Sequence, residues 1–221
     1  MDTVLIVNHH PAFARLLEAQ LRASFDFQHI VSFATAYECW HTLPSLEPFL
    51  IIMGIPYDDG NGFDLCHHLI QRSPHYTVLF WTEQYTAPVI LEAHRVGAAG
   101  IVAKKQTLTR ILSTIRNARL GKPLWTKRQY ALMHQWQSAV LNPLSVLTEK
   151  EHRIATALAL RRTNREIADN FYLSERTVEG YVSRILEKMS FANRVEMAQW
   201  AEQEEWDRWL RFRQGLKDFR P

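Results

Sequence analysis

The chain has 221 residues, enough for one or two domains that each bury a core. Apolar residues make up 47% and charged residues 22%, too apolar for a disordered chain and ordinary for a globular one. The net charge of +3 divides as 9 Lys+Arg against 10 Asp+Glu over 1–120, 3 against 0 over 121–146, and 14 against 13 over 147–221, so no block announces a nucleic-acid binder by charge alone.

Over the first 120 residues short apolar runs alternate with helical patterns. Val4–Val7 is a buried-strand candidate, followed by Phe13, Leu16, Leu17 and Leu21 at helical spacing. Phe49–Met53, Thr77–Trp81 and Gly100–Lys104 are three further strand candidates. The clearest helix has Leu108, Ile111, Leu112 and Ile115 at i, i+3, i+4 and i+7. Continuous apolar strands alternating with helices predict a parallel sheet covered on both faces. The longest apolar stretch, Pro48–Pro56, is too short to span a bilayer, which needs about 20 residues. Asp2 stands where a signal peptide wants positive charge, so a cytoplasmic protein with no membrane partner is expected. Cys39 and Cys66 have no metal-ligand spacing and read as small buried apolar residues.

Gly121 and Pro123 break the last helix of this block, and Asn142-Pro143 marks a second boundary. Between them Thr126–Leu141 reads as a linker helix, with Trp125, Tyr130, Met133 and Trp136 apolar. From Leu147 the pattern is wholly helical. Thr148 and Glu151 form a capping box, with Ile154, Ala157 and Leu158 on one face behind it. A short helix, Arg165–Phe171, precedes Ser174, which caps a longer helix. Val178, Val182, Ile185 and Met189 point that helix toward a core. Asn193 with Glu196 starts a fourth helix. Two helices joined by the turn Tyr172–Ser174 read as a helix-turn-helix.

Three segments carry a resemblance: LTEKE at 147–151, NREIADNFYLSERTVEGYVSRILEKM at 164–189 and NRVEMAQWA at 193–201. In this order they resemble the LuxR-type helix-turn-helix domain of the NarL/FixJ family of bacterial response regulators. The resemblance implies double-stranded DNA as partner, with Glu175–Lys188 as recognition helix in the major groove. The outward face is then Arg176, Glu179, Gly180, Ser183, Arg184 and Glu187, opposite the core face. Arg176, Arg184 and Ser183 are candidates for base or phosphate contacts, and Arg161, Arg162 and Arg165 for backbone contacts. Four positions depart from the family pattern. Glu179 stands for the usual Lys, Gly180 for a small hydrophobic or polar residue, Tyr181 for His, and Arg161 for Gly.

Residues 1–120 resemble a receiver domain, a doubly wound five-stranded α/β fold. The match lies in VLIVNHHPAF at 4–13, PFLIIMGIPYDDGNGFDL at 48–65, VLFWT at 78–82 and AHRVGAAGIVAK at 93–104. A receiver transfers a phosphoryl group to an Asp at the end of its third strand, beside Mg²⁺ held by acids after the first strand. The resemblance places the acidic pair on Asn8 and His9, the acceptor on Gly54, the hydroxyl on Thr82 and the lysine on Lys104. Thr82 and Lys104 remain, and all three acids are gone. Asp58 and Asp59 read as solvated turn residues, and the aromatic switch position is Ile101. His9-His10 and His67-His68 have no partner at ligand spacing, so neither metal nor cofactor is expected.

The domains are therefore expected as 1–120 receiver-like, 121–146 linker, 147–201 DNA-binding and 202–221 an aromatic helical extension. The chain is expected to be a DNA-binding transcriptional regulator that acts without aspartyl phosphorylation, and not an enzyme. The resemblance implies a homodimer through the Leu108–Leu120 helix face and the 89–99 helix. Two alternatives stand: an interaction adaptor that has lost specific DNA binding, and a sensor with a small molecule in the vacated phosphorylation pocket. Trp206, Trp209 and Leu210 share a helical face in the tail, either packed on the domain's fourth helix or docking a protein partner.

Overall fold

The computed structural model describes residues 3–43, 46 and 48–220; Asp2 and Pro221 lie outside them. The chain divides into two compact units, residues 1–130 with 216–221, and residues 131–215. The segment expected as a linker over 121–146 is shared between them.

The first unit is a five-stranded parallel sheet in the spatial order β2 (His29–Phe33), β1 (Thr3–Val7), β3 (Leu50–Met53), β6 (Val78–Thr82) and β7 (Gly100–Ala103). β1, β3, β6 and β7 are buried along their whole length, which is why they read as unbroken apolar runs. β2 is the fifth strand, and it did not stand out in the sequence. It lies at the sheet edge with only Ile30 buried, so HIVSF carries no apolar run.

Helices cover both faces. α1 (Pro11–Ser24) starts with proline at its first position, where the missing N–H costs nothing. α2 (Ala36–Thr42) and α3 (Gly62–Arg72) are capped by Thr35 and Asn61, whose side chains accept from Glu38 N and Asp64 N. α4 (Ala87–Arg95) and α5 (Leu108–Arg119) complete the cover. Val4, Ile6, Leu17, Leu21, Ile111 and Ile115 belong to one core cluster. Cys39 and Cys66 are buried free thiols, and burial pushes each up to about 12, as small apolar residues would behave. Between β3 and α3 the chain makes a two-residue-stranded hairpin, β4 (Pro56–Tyr57) with β5 (Gly60–Asn61).

α6 (Lys127–Trp136) runs on through a π-helical turn (Gln137–Leu141) and α7 (Asn142–Leu144). Four helices follow: α8 (Glu149–Ala159), α9 (Asn164–Phe171), α10 (Glu175–Lys188) and α11 (Arg194–Gln203). Thr148, Ser174 and Asn193 cap them as expected, and Thr163 with Glu166 adds a second capping box. Ile154, Leu158, Ile167, Val178, Ile185 and Met197 are buried here.

The tail is not helical throughout 202–221: 202 and 203 end α11, α12 (Trp206–Gln214) follows, and the chain is not helical beyond it. Trp206 is 2% exposed, its ring 5.5 Å from Trp200 and 6.3 Å from His152. Trp136 on α6 donates its indole N–H to the Glu204 carbonyl at 2.9 Å, fixing the turn before α12. Trp209 and Leu210 are half-buried. The aromatic stripe thus packs back on the helical unit, with Trp206 inside its core.

Candidate nucleic-acid interface and degenerate phosphorylation pocket

α10 presents two faces. Val178 and Ile185 are fully buried, with Val182 and Met189 half-buried beside them. Arg176, Glu179, Gly180, Ser183, Arg184 and Glu187 are all exposed, on the side expected to face DNA. Ser183 donates its hydroxyl to the Glu179 carbonyl at 3.1 Å. A Cβ added at Gly180 would meet nothing within 4 Å, so no protein neighbour demands glycine there.

Tyr181 is half-buried and holds two cations over its ring. The Arg184 guanidinium lies 4.6 Å and the Lys150 ammonium 5.1 Å from the centroid. Lys150, at the start of α8, therefore joins the basic surface of α10. No sequence spacing pointed to it, because the contact crosses helices. Arg162 pairs with Glu166 at 3.1 Å, and Arg165 is exposed. Arg194 donates to the Arg162 carbonyl and to Asn164 Oδ1, tying the α8–α9 turn to α11. Arg161, where the family pattern has glycine, adopts φ +59°, and Tyr172 in the helix-turn-helix turn adopts φ +54° with 96% exposure.

Glu151 ties α8 to the end of α10. Lys188 Nζ donates to it at 2.7 Å, and the Thr148 N–H at 2.9 Å. These two donors, Lys188 first, hold its carboxyl down to about 2 from a usual 4.5. A carboxyl depressed in the folded state stabilises the fold above its unfolded pKa and loses that contribution as pH falls toward the folded value. The melting temperature of this unit should fall between pH about 4.5 and about 2. Glu151→Gln should flatten that dependence and lower the neutral-pH melting temperature, which differential scanning calorimetry across pH would read.

In the receiver unit, Asn8, Gly54, Thr82 and Lys104 stand at the carboxyl ends of β1, β3, β6 and β7, where a doubly wound sheet places its chemistry. Each expected group is otherwise engaged. Asn8 is buried, and its Oδ1 accepts from the His10 N–H at 3.0 Å. Thr82 Oγ1 accepts from the Gln84 N–H at 3.1 Å. The Lys104 side chain is 6% exposed, with its ammonium 4.5 Å from the Phe13 ring centre, 5.6 Å from that of Trp81 and 3.9 Å from Glu83. Burial lowers its pKa, and Glu83 raises it in part.

A Cβ at Gly54 would meet nothing within 4 Å, yet the backbone beside it is occupied. Tyr57 is buried, and its hydroxyl reaches the Val7 carbonyl at 3.0 Å and the Gly54 carbonyl at 3.1 Å. No pattern in the sequence pointed to this contact. Asp59 accepts from the Ala36 and Tyr37 N–H groups and so caps α2; it is not a solvated turn residue as expected. His9 Nδ1 is buried without a hydrogen-bond partner. Burial, then His10 and Lys104, lower the His9 pKa, while Asp58 and Glu83 pull it upward.

This donor set does not suit Mg²⁺. Asn8 and His9 bring no carboxylate, Asn8 Oδ1 is already bonded, and the Lys104 cation repels His9 in its charged form. No step through a divalent cation is derived for this pocket. Among the described residues no group of three His, Cys, Asp or Glu side chains could hold a metal ion.

Residues of the expected linker seal one side of the receiver. Trp125 donates its indole N–H to the Ala98 carbonyl at 3.1 Å and packs edge-on against His94 on α4. Gln129, 3% exposed, donates to the Ile101 carbonyl at 2.9 Å and the Tyr85 hydroxyl at 3.0 Å. Part of the 89–99 surface expected to meet a second subunit is thus met by the chain itself. Two cavities of about 680 and 640 Å³ lie elsewhere, lined by residues including Phe25, Arg116 and Arg119, and Arg153, Phe171 and Gln214. Neither is lined by Asn8, Gly54, Thr82 or Lys104.

A five-stranded parallel sheet with helices on both faces, followed by a capped helix-turn-helix, is the architecture of a response regulator. Residues 4–116 match the response regulator receiver domain, and residues 145–201 match the luxR family of bacterial regulatory proteins. The chain belongs to the NarL/FixJ family of response regulators and is a DNA-binding transcriptional regulator of that type. It is 30% identical to the DNA-binding transcriptional activator DevR/DosR of Mycobacterium tuberculosis, over 91% of this chain and 94% of that one. It is 27% identical to the response regulator GacA of Pseudomonas aeruginosa, over 90% and 94%. Among solved structures it resembles RcsB of Salmonella typhimurium, with a TM-score of 0.64 at 18% identity, covering 91% of this chain and all of that one. RcsB in complex with DNA matches with a TM-score of 0.62, again at 18% identity, over 91% and 98%. No helix among the described residues is long and apolar enough to cross a membrane.

Proposed function

We propose that this regulator binds DNA without aspartyl phosphorylation, its receiver being a pseudo-receiver used for dimerisation and for sensing a partner or ligand. The observation that carries this is the end of β3. Gly54 offers no acceptor, the Tyr57 hydroxyl occupies its carbonyl, and Lys104 is turned into an aromatic cage with Glu83 beside it. A phosphoryl group would find no nucleophile at residue 54 and no carboxylate pair to hold a divalent cation, and the Lys104 ammonium is already engaged by Glu83 and two aromatic rings. The usual relay also lacks a moving part, since Ile101 is buried and its carbonyl is held by Gln129.

DNA contacts fall to Arg176, Ser183 and Arg184 on α10, with Lys150 beside them and Arg162 and Arg165 toward the backbone. Glu179 and Gly180 sit in the same face and set its specificity. A homodimer on two half-sites fits this arrangement, and RcsB, a protein of the same fold, is found as two dimers bound to two parallel DNAs. With the linker packed on α4, the α5 side takes that contact, where Leu120, just past the helix, is 62% exposed.

An adaptor that has lost specific DNA binding is the second reading, and the Glu179 carboxylate on the DNA-facing side favours it. Gel shifts on genomic fragments at low salt, with and without acetyl phosphate and Mg²⁺, separate the two. The regulator reading expects retention at submicromolar protein, equal in both arms. No retention at micromolar protein supports the adaptor, and retention only with acetyl phosphate overturns the phosphorylation-independent reading.

A further inference from the structure

After α12 the chain leaves helical structure, and its last described residues belong to the receiver unit. There they form a strap held by one buried anchor. Phe219 is 4% exposed, with its ring 6.3 Å from Trp40 and 6.2 Å from His68. Its backbone N–H donates to Asp64 Oδ2 at 3.0 Å. Asn61 Nδ2 donates to the Lys217 carbonyl at 2.7 Å, and Lys217 Nζ to the Asp58 carbonyl at 2.7 Å. A Cβ at Gly60 would lie 2.6 Å from Phe219 Cβ, so the cleft fits the anchor only while residue 60 has no side chain.

Everything else in the strap is lightly held. Lys217, Asp218 and Arg220 are exposed, and the strap has no regular secondary structure. A segment with one buried side chain and a few polar contacts opens far more easily than a core element. The residues that receive it, Asp58, Gly60 and Asn61, lie in or beside the β4–β5 hairpin. Tyr57 of the same hairpin donates its hydroxyl to the Gly54 carbonyl. One hairpin thus bonds the ends of β1 and β3 and seats the strap.

We propose that this cleft on the receiver is a peptide-binding site for a short basic and aromatic segment, that residues 216–220 of the chain itself are its ligand, and that filling and emptying it is how the receiver reports to the DNA-binding unit. The cleft stands on its own geometry. Its consequence for DNA rests on the DNA-binding reading above, through the covalent link of Leu216 to Gly215 and α12.

Hydrogen–deuterium exchange on the full-length protein without DNA tests the cleft. Phe219→Ala should raise exchange at least tenfold in peptides covering 56–64 and 215–221, and leave the sheet unchanged. Gly60→Ala blocks the seat from the receiver side and should give the same pattern, and the double variant should add nothing further. A synthetic peptide with the sequence of residues 215–221, added to the Phe219→Ala protein, should restore protection over 56–64. Unchanged exchange over 56–64 in both single variants overturns the site, as does failure of the peptide to restore protection. Gel shifts with the same variants test the coupling. An affinity change of threefold or more supports it, and equal affinity with a released strap overturns the coupling while leaving the cleft.

Discussion

Replacing Trp206 with alanine should destabilise the helical unit by about 3–5 kcal/mol, the range for truncating a buried large aromatic. The side chain is 2% exposed and meets Trp200 and His152, so the substitution leaves a cavity bounded by α8 and α11. Glu205 before it adopts φ +58°, a left-handed residue that sets the turn and aims α12 back at the domain. The Trp136–Glu204 hydrogen bond fixes the same turn from α6. For a unit of this size the loss corresponds to a fall in melting temperature of about 15 °C or more. Trp209→Ala, at a half-buried position, should cost much less. Calorimetry with light scattering decides the matter. A cooperative transition displaced downward with unchanged mass makes the tail part of the core. An unchanged transition with altered oligomeric state would make the stripe a docking surface instead.

The second large effect concerns Glu179. Glu179→Lys should tighten binding to nonspecific duplex by about tenfold and steepen the salt dependence, by about 0.9 in log–log slope for one added phosphate contact. The position is exposed on the same face as Arg176 and Arg184, so a carboxylate there repels phosphate and an ammonium attracts it. Arg184→Ala should weaken binding by removing a cation that Tyr181 holds in place. Fluorescence anisotropy across a salt series reads both variants. Should Glu179→Lys abolish recognition of a native site and leave nonspecific binding intact, Glu179 reads a base, accepting from a cytosine amino group.

Much of this architecture was legible because burial leaves a mark on sequence. The four fully buried strands are apolar runs, and the caps Thr148, Ser174 and Asn193 are chemical requirements of helix ends. The edge strand β2 carries no such mark, because only one of its five residues is buried. The core face of α10 followed from its period, and its outward face from that period together with the resemblance. Lys150 beside Tyr181, Tyr57 over Gly54 and Phe219 against Gly60 were not legible, since each is a contact between segments far apart in sequence. That Asn8, His9 and Gly54 stand where a receiver has its acids is what the resemblance implied. The Tyr57 hydrogen bonds to Val7 and Gly54 were not legible, because a tyrosine two residues into a hairpin looks like any turn residue until its hydroxyl is placed.

Intact-mass spectrometry of the full-length protein after incubation with acetyl phosphate and Mg²⁺ decides whether the receiver can be phosphorylated. With Gly54 at the end of β3, Asn8 and His9 in place of the acids, and Asp59 committed to the α2 cap, no phosphoryl adduct should form. The mass should match the untreated protein, and the oligomeric state should not change. A stoichiometric gain of one phosphoryl group, mapped to Asp58 or Asp59, would contradict the account.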